Sequence, residues 1–196
     1  MPKQSSINAA KRPHRRGIIY GAILAAITFF ATHTGWSSDW DLPNRKGPRP
    51  LTTNGVPHIQ LDVEVMPRLR ETLIRRVATI PGVEIRDTII SLPGARGFWL
   101  DEDLSLERPD VIVGGREFAH VHPDGSLHIS LPDGVAQSAV AAGWAVKHPW
   151  ADKRPGWSGF VMLYASRSAE EVDTVLQLIL TSYNFVTGKN LAISSL

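Results

Sequence analysis

The 196-residue chain has no cysteine. Disulfides, thiolate metal sites and a cysteine nucleophile are thereby excluded, although the redox compartment stays open. There is no internal repeat, so solenoid and propeller architectures do not apply. No Gly-x-Ser-x-Gly elbow marks a serine hydrolase, and no Lys-Ser/Thr pair follows Gly114-Gly115 to make a phosphate loop. Acidic residues are missing from the first sixteen positions, where Lys3, Lys11, Arg12, Arg15 and Arg16 concentrate positive charge. The overall net charge of +2 therefore misleads: the remainder holds 16 basic and 19 acidic residues, a net of −3. A basic tail on a mildly acidic domain is not a nucleic-acid footprint, and no nucleic-acid partner is expected.

Charge is also lacking between Gly17 and Trp36, where His33 alone could carry a charge near neutral pH. About 20 mainly apolar residues suffice for a helix to cross a bilayer, and Tyr20 and Trp36 stand where interfacial aromatics belong. A cleaved signal peptide is the alternative, but no clean small-x-small site follows the apolar run. Arg15-Arg16 bears only a loose likeness to a twin-arginine signal. The positive flank precedes the segment, which predicts a single-pass protein with a cytoplasmic N-terminus and an extracytoplasmic domain. The organisation read here is a basic tail (1–16), a transmembrane anchor (17–36), a juxtamembrane linker (37–56) and an α+β domain (57–190). Arg45, Lys46 and Arg49 in the linker are read as solvated or close to lipid headgroups.

Within the domain, Pro67 opens a helix carrying Leu69, Leu73, Val77 and Ile80 at helical spacing, and Pro81-Gly82 stops it. VEIRDTIIS reads as a strand, Pro93 to Gly97 as a turn, and Phe98-Trp99-Leu100 as a short apolar run. The acidic loop DEDLSLERPD lacks the glycine and the closing glutamate of a calcium loop. Asp133 is placed to cap a short helix ended by Gly143. FVMLYA has the length of a buried strand, and Ser168 to Glu171 is a capping box for a final helix ending near Gly188. The fold class is α+β: an antiparallel or mixed sheet with two long helices and one short helix packed on it, preceded by one N-terminal transmembrane helix.

The most informative stretch is GGREFAHVHPDGSLHISL, Gly114 to Leu131. Two alternating runs joined by Pro-Asp-Gly predict a β-hairpin. A three-residue loop, with Gly125 in the left-handed position, pairs His120 with His128 and His122 with Ser126. Ala119, Val121, Leu127 and Ile129 then share a core face. Arg116, Phe118, His120, His122 and His128 share the other, and a one-residue slip would mix the two. GWAVKHPWADKRPGWSG adds Trp144, His148 and Trp150 as a lid, a pocket wall or a simple cover for the sheet.

LPNRKGPRP, REFAHVH, SLHISL, GWAVKHPWA, FVMLYA and the final helix ending in YNFVTG resemble, in this order, the fungal luciferase family and its bacterial luciferase-domain relatives. The resemblance covers about Leu42 to Gly188, and an anchor before the domain fits it. It implies oxygen-dependent oxidation of a small hydroxypyrone or related acidic enol, through a peroxidic intermediate that loses carbon dioxide. Molecular oxygen is then a co-substrate, and no redox cofactor is required. On this reading His120 or His128 is the base and Arg116 an electrostatic clamp. His122 and His148, with Trp144, Trp150 and Phe118, position the substrate and exclude water. Two other classes stand beside it. One is a metal enzyme ligated by His120, His122 and His128; the other is a membrane-tethered module that binds a small ligand without turnover. The oligomeric state is not legible.

Overall fold

The computed structural model describes residues 42–196. The basic tail, the expected membrane segment Gly17–Trp36 and the start of the linker lie outside the described residues. No helix among the described residues is long and apolar enough to cross a membrane.

The elements follow one another as α1 (Pro67–Val77), β1 (Val83–Asp87), β2 (Arg96–Leu100), β3 (Glu117–Val121), β4 (Leu127–Ser130), α2 (Asp133–Ala141), β5 (Ala145–Lys147), β6 (Phe160–Leu163) and α3 (Ala169–Thr187). The six strands form one sheet in the order β1-β2-β3-β4-β6-β5. Every neighbouring pair is antiparallel, which decides between the two sheet types expected.

The helices begin and end where local chemistry dictates. Pro67 occupies the first turn of α1, where its missing N–H costs no bond. Ser168 caps α3 by accepting the N–H of Glu171, and Gly188 closes that helix in the left-handed conformation. Asp133 is not the cap of α2: Pro132 holds the cap position and Asp133 is the first helical residue, accepting a bond from the Ser158 hydroxyl at 2.7 Å.

The core lies between one sheet face and the helices. Leu73 and Val77 of α1 and Val172, Leu176, Ile179 and Tyr183 of α3 meet Ala119, Val121, Leu127, Ile129, Val161 and Leu163. Full burial of each larger side chain contributes about 1.5–3 kcal/mol. The opposite face, carrying His120, His128 and Phe160, is covered by irregular chain rather than by helices.

One cover is the segment between residues 42 and 66. Thr53 and Leu61 bond back to Ile59 and Leu51, making a small turned arm, and the Gln60 side chain accepts the N–H of Ala165 at 3.1 Å. Arg45 pins the arm's start. Expected to be solvated, it is instead buried, donating to the Ala165 carbonyl at 2.8 Å and to Glu171 at 3.1 Å, with Trp144 and Tyr164 against its guanidinium. Trp144 donates its indole N–H to the Pro43 carbonyl, so it anchors the arm.

Two smaller expectations change. The strand read through VEIRDTIIS stops at Asp87, and Ile89 is exposed. Arg96 and Gly97, read as turn, begin β2.

Candidate active site

Between β3 and β4 the chain turns through Pro123-Asp124-Gly125. Gly125 adopts a φ of 90°, a conformation that disfavours any side chain. The Asp124 carboxylate accepts from the Ser126 N–H and hydroxyl at 2.9 and 2.8 Å. His120 pairs with His128, and Val121 with Leu127, which is the register the alternation predicts.

At the other end of β3 that alternation breaks. Phe98 pairs with Ala119 and Trp99 with Glu117, so Phe118 is an extra residue in a β-bulge. Phe118 turns into the core against Phe98 and Tyr183, and Glu117 takes the histidine side. The expectation that Phe118 faces substrate is thereby corrected. Gly97 makes room for the arrangement: a Cβ there would lie 3.0 Å from the Glu117 carboxyl carbon and 2.6 Å from the Trp99 indole nitrogen.

All five histidines of the described residues converge on this face. His120 Nε2 lies 3.0 Å from His128 Nδ1, and His128 Nε2 lies 3.2 Å from His58 Nδ1. His148 stands edge-on to His58 and His128, with centroids 5.0 and 4.6 Å away. His122 meets His128 edge-on at 4.7 Å. Together they line a cavity of about 310 Å³ whose remaining walls include Val56, Pro57, Ile90, Leu92, Val113, Trp150 and Phe160. That volume suits a small organic ligand. No Lys, Arg, Asp or Glu is among the lining residues.

The hydrogen bonds assign ring tautomers. His148 Nδ1 accepts the N–H of Trp150 at 3.0 Å, so its proton sits on Nε2. The Ser126 hydroxyl is spent on Asp124, so Ser126 accepts from His122 Nδ1–H at 3.0 Å and His122 Nε2 keeps its lone pair. Burial disfavours the imidazolium and lowers all four of His58, His122, His128 and His148; for the last three, neighbouring imidazoles add to the effect. His122 and His148 are held at about 3, and His128 lies well below its usual range. These rings are neutral bases at physiological pH.

Arg116 is not part of the cavity. It precedes β3, and its guanidinium donates to the carbonyls of Leu100, Asp101 and Leu104, tying down the acidic loop. Its role as a clamp is corrected to a structural one, and Trp144 likewise lies outside the lining. Of the other expected residues, His120, His122, His128, His148 and Trp150 do line the cavity. Two further residues had not been singled out. His58 reaches the site from the arm, where no periodicity marks it. Glu117 holds His120 Nδ1 at 3.1 Å. Simple alternation from Ala119 and Val121 would have sent this acid into the core, and that conflict was the available sign of a bulge.

The imidazoles also offer metal-ligand geometry. His58, His128 and His148 form one triad, and His120, His122 and His128 another, with nitrogens in each within 4.8 Å of one another. Each triad contains one pair of imidazole nitrogens within hydrogen-bond distance, at 3.2 Å between His58 and His128 and 3.0 Å between His120 and His128.

The Luciferase domain model matches residues 115–182. The chain is 31% identical over 177 residues to a luciferase of Armillaria mellea, covering 78% of this chain and 65% of that protein. Luciferases of Armillaria ostoyae and Armillaria gallica are 31% and 30% identical over 169 residues, covering 76% of this chain and 62% of theirs. The chain thus spans a little under two thirds of the length of these relatives. No solved structure matches it. With the domain match falling on the histidine hairpin and the relatedness extending over most of the chain, this protein belongs to the luciferase-domain family that includes the fungal luciferases.

Proposed function

We propose that the domain is a luciferase-like oxygenase that oxidises a small acidic enol of the hydroxypyrone class with molecular oxygen and no redox cofactor. The observation that carries this reading is the convergence of five buried imidazoles on an apolar cavity without a fixed charge. A neutral imidazole removes the enol proton, and His148 Nε2–H is a donor for the resulting enolate oxygen. The electron-rich enolate carbon then reacts with oxygen to form a peroxide. Walls such as Phe160, Val113 and Leu92 keep water from that peroxide while it breaks down.

Oxygen uptake by the full-length protein, assayed for metal content and offered a panel of hydroxypyrones, tests this reading. Uptake without a stoichiometric metal is expected. His120→Ala and His128→Ala should each lose about 10²–10⁴-fold in rate while circular dichroism shows the fold retained. Full turnover by the double variant would show the histidine face to be structural. A stoichiometric metal lost in the same variants would instead select the metal enzyme that the two triads permit. Tight pyrone binding with no uptake would select a non-catalytic binding module.

The same proposal places the domain outside the cytoplasm, tethered by Gly17–Trp36; support comes from the apolar run and its positive flank in the sequence. A reporter fused after Leu196 should behave as exported. Activity of a cytoplasm-only reporter at that position would refute the topology.

A further inference from the structure

Glu117 lies outside the lining of the cavity, is almost fully buried, and its carboxylate stands in ion-pair contact with the first ring of a row of hydrogen-bonded imidazoles that reaches the cavity. The row runs from the Glu117 carboxylate to His120 Nδ1 (3.1 Å), from His120 Nε2 to His128 Nδ1 (3.0 Å), and from His128 Nε2 to His58 Nδ1 (3.2 Å). A neutral imidazole has one N–H and one lone pair, so a single choice at one end settles every ring. The carboxylate can only accept. His120 therefore carries its proton on Nδ1 and accepts at Nε2; His128 must donate from Nδ1 and accept at Nε2; His58 must donate from Nδ1. His58 Nε2 is left with a lone pair, and no described residue bonds it.

We propose that Glu117 is a positioning residue that sets the tautomers of a three-imidazole relay, which takes the substrate's hydroxyl proton at His58 Nε2 and delivers the positive charge to His120. The proposal rests on the oxygenase reading above and names the base within it. The protons balance as follows. The substrate O–H breaks and its proton bonds to His58 Nε2. The proton on His58 Nδ1 passes to His128 Nε2, and that on His128 Nδ1 passes to His120 Nε2. His58 and His128 end neutral, His120 holds protons on both nitrogens against the Glu117 carboxylate, and the substrate is an enolate. The relay has a clear electrostatic purpose. A cation on His58 or His128 would sit among neutral rings in an apolar site, whereas a cation on His120 sits beside an anion.

The surroundings of Glu117 make its orientation single-valued. The Thr88 hydroxyl donates to Oε1 at 2.7 Å and the Ile89 backbone N–H donates to Oε2 at 2.9 Å. Glu117→Gln is consequently a directed change rather than a mere loss of charge. The Ile89 N–H cannot reverse its role, so it requires the glutamine oxygen at the Oε2 position and turns the amide NH2 toward His120 Nδ1. His120 must then move its proton to Nε2, His128 follows, and His58 loses the bond that left Nε2 free to accept.

The test is nitrogen NMR of the full-length protein labelled with 15N-histidine, which reports which ring nitrogen carries the proton. In the unaltered protein His120, His128 and His58 should all be protonated on Nδ1. In Glu117→Gln, His120 and His128 should switch to Nε2. The variant's kcat for hydroxypyrone oxidation should fall about 10²–10⁴-fold with KM within a few-fold, since no cavity wall has changed. Nε2 protonation of His120 or His58 in the unaltered protein overturns the relay even if no variant folds. So does a metal bound to these nitrogens, or a Glu117→Gln protein with switched tautomers and undiminished kcat. Absence of oxygen uptake in the unaltered protein, with all three rings on Nδ1, overturns the oxygenase reading while the tautomer chain set by Glu117 stands.

Discussion

Acidification below neutrality should unfold this domain earlier than its carboxylates alone would dictate. In the unfolded chain His122 and His148 titrate near 6.5, whereas in the fold each is held at about 3 by burial and by the neighbouring imidazoles. Between those values the unfolded state binds the more protons, so every step down in pH favours it. The stability tied to these two rings is fully present above about pH 6.5 and is lost progressively as pH falls toward 3. Each contributes a slope of about 1.4 kcal/mol per pH unit, and His58 and His128 are lowered in the same sense. Against a domain stability on the order of 5–15 kcal/mol, the loss places the acid midpoint at about pH 4–5. Circular dichroism across a pH series, combined with urea melts, gives the slope directly. Replacing His148 by phenylalanine should lower the midpoint. A melting curve indifferent to pH down to 4 would mean that water reaches the imidazoles freely.

Gly159→Ala should be among the most damaging single substitutions in the chain. A Cβ on Gly159 would lie 1.9 Å from the Leu131 carbonyl oxygen, a backbone atom that cannot swing aside as a side chain would. Leu131 also donates its N–H to the Gly159 carbonyl at 3.0 Å, so the chain cannot part there without breaking the bond that continues the β4–β6 pairing by one residue on each side. The expected loss is on the order of 3–5 kcal/mol. In a domain of this size that corresponds to a fall in Tm of about 10 °C. Because His128 and Met162 face each other three residues along the same pair of strands, the site should distort as well. Gly134→Ala is the matched control: nothing lies within 4 Å of its Cβ position, and alanine favours the α2 helix. Thermal melts that rank the two variants equally would show that β4 and β6 yield to the extra carbon.

What could be read beforehand was whatever repeats with the period of a strand or helix. The register of His120 on His128 followed from alternation and from the Pro-Asp-Gly turn, because a slip would have exposed Val121 and Leu127. The start of α1 and both limits of α3 followed from Pro67, Ser168 and Gly188, whereas α1 ends at Val77, before the Ile80 and Pro81-Gly82 stop that the spacing predicted. Failures came where one residue broke the period or where no period existed. The extra residue at Phe118 moved that ring into the core, brought Glu117 to the histidines and left Arg116 on the acidic loop. His58 and Arg45 lie in a Pro- and Gly-rich segment, where the fold rather than local pattern decides what is buried. The family likeness extended to the arm as sequence, but it did not say that an imidazole there would touch His128.

The arm also bears on where this protein can be cut. The segment matched as a Luciferase domain, 115–182, holds Glu117 and four of the clustered histidines but not His58, α1, β1 or β2. A fragment begun at Pro67 would retain every strand and helix of the described residues yet lose one imidazole, the Val56-Pro57 wall and the Arg45 bonds to Ala165 and Glu171. Expression boundaries drawn from the recognisable motif, or from secondary structure, would therefore yield a protein with an opened cavity. A boundary ahead of Leu42 keeps every contact of the arm among the described residues.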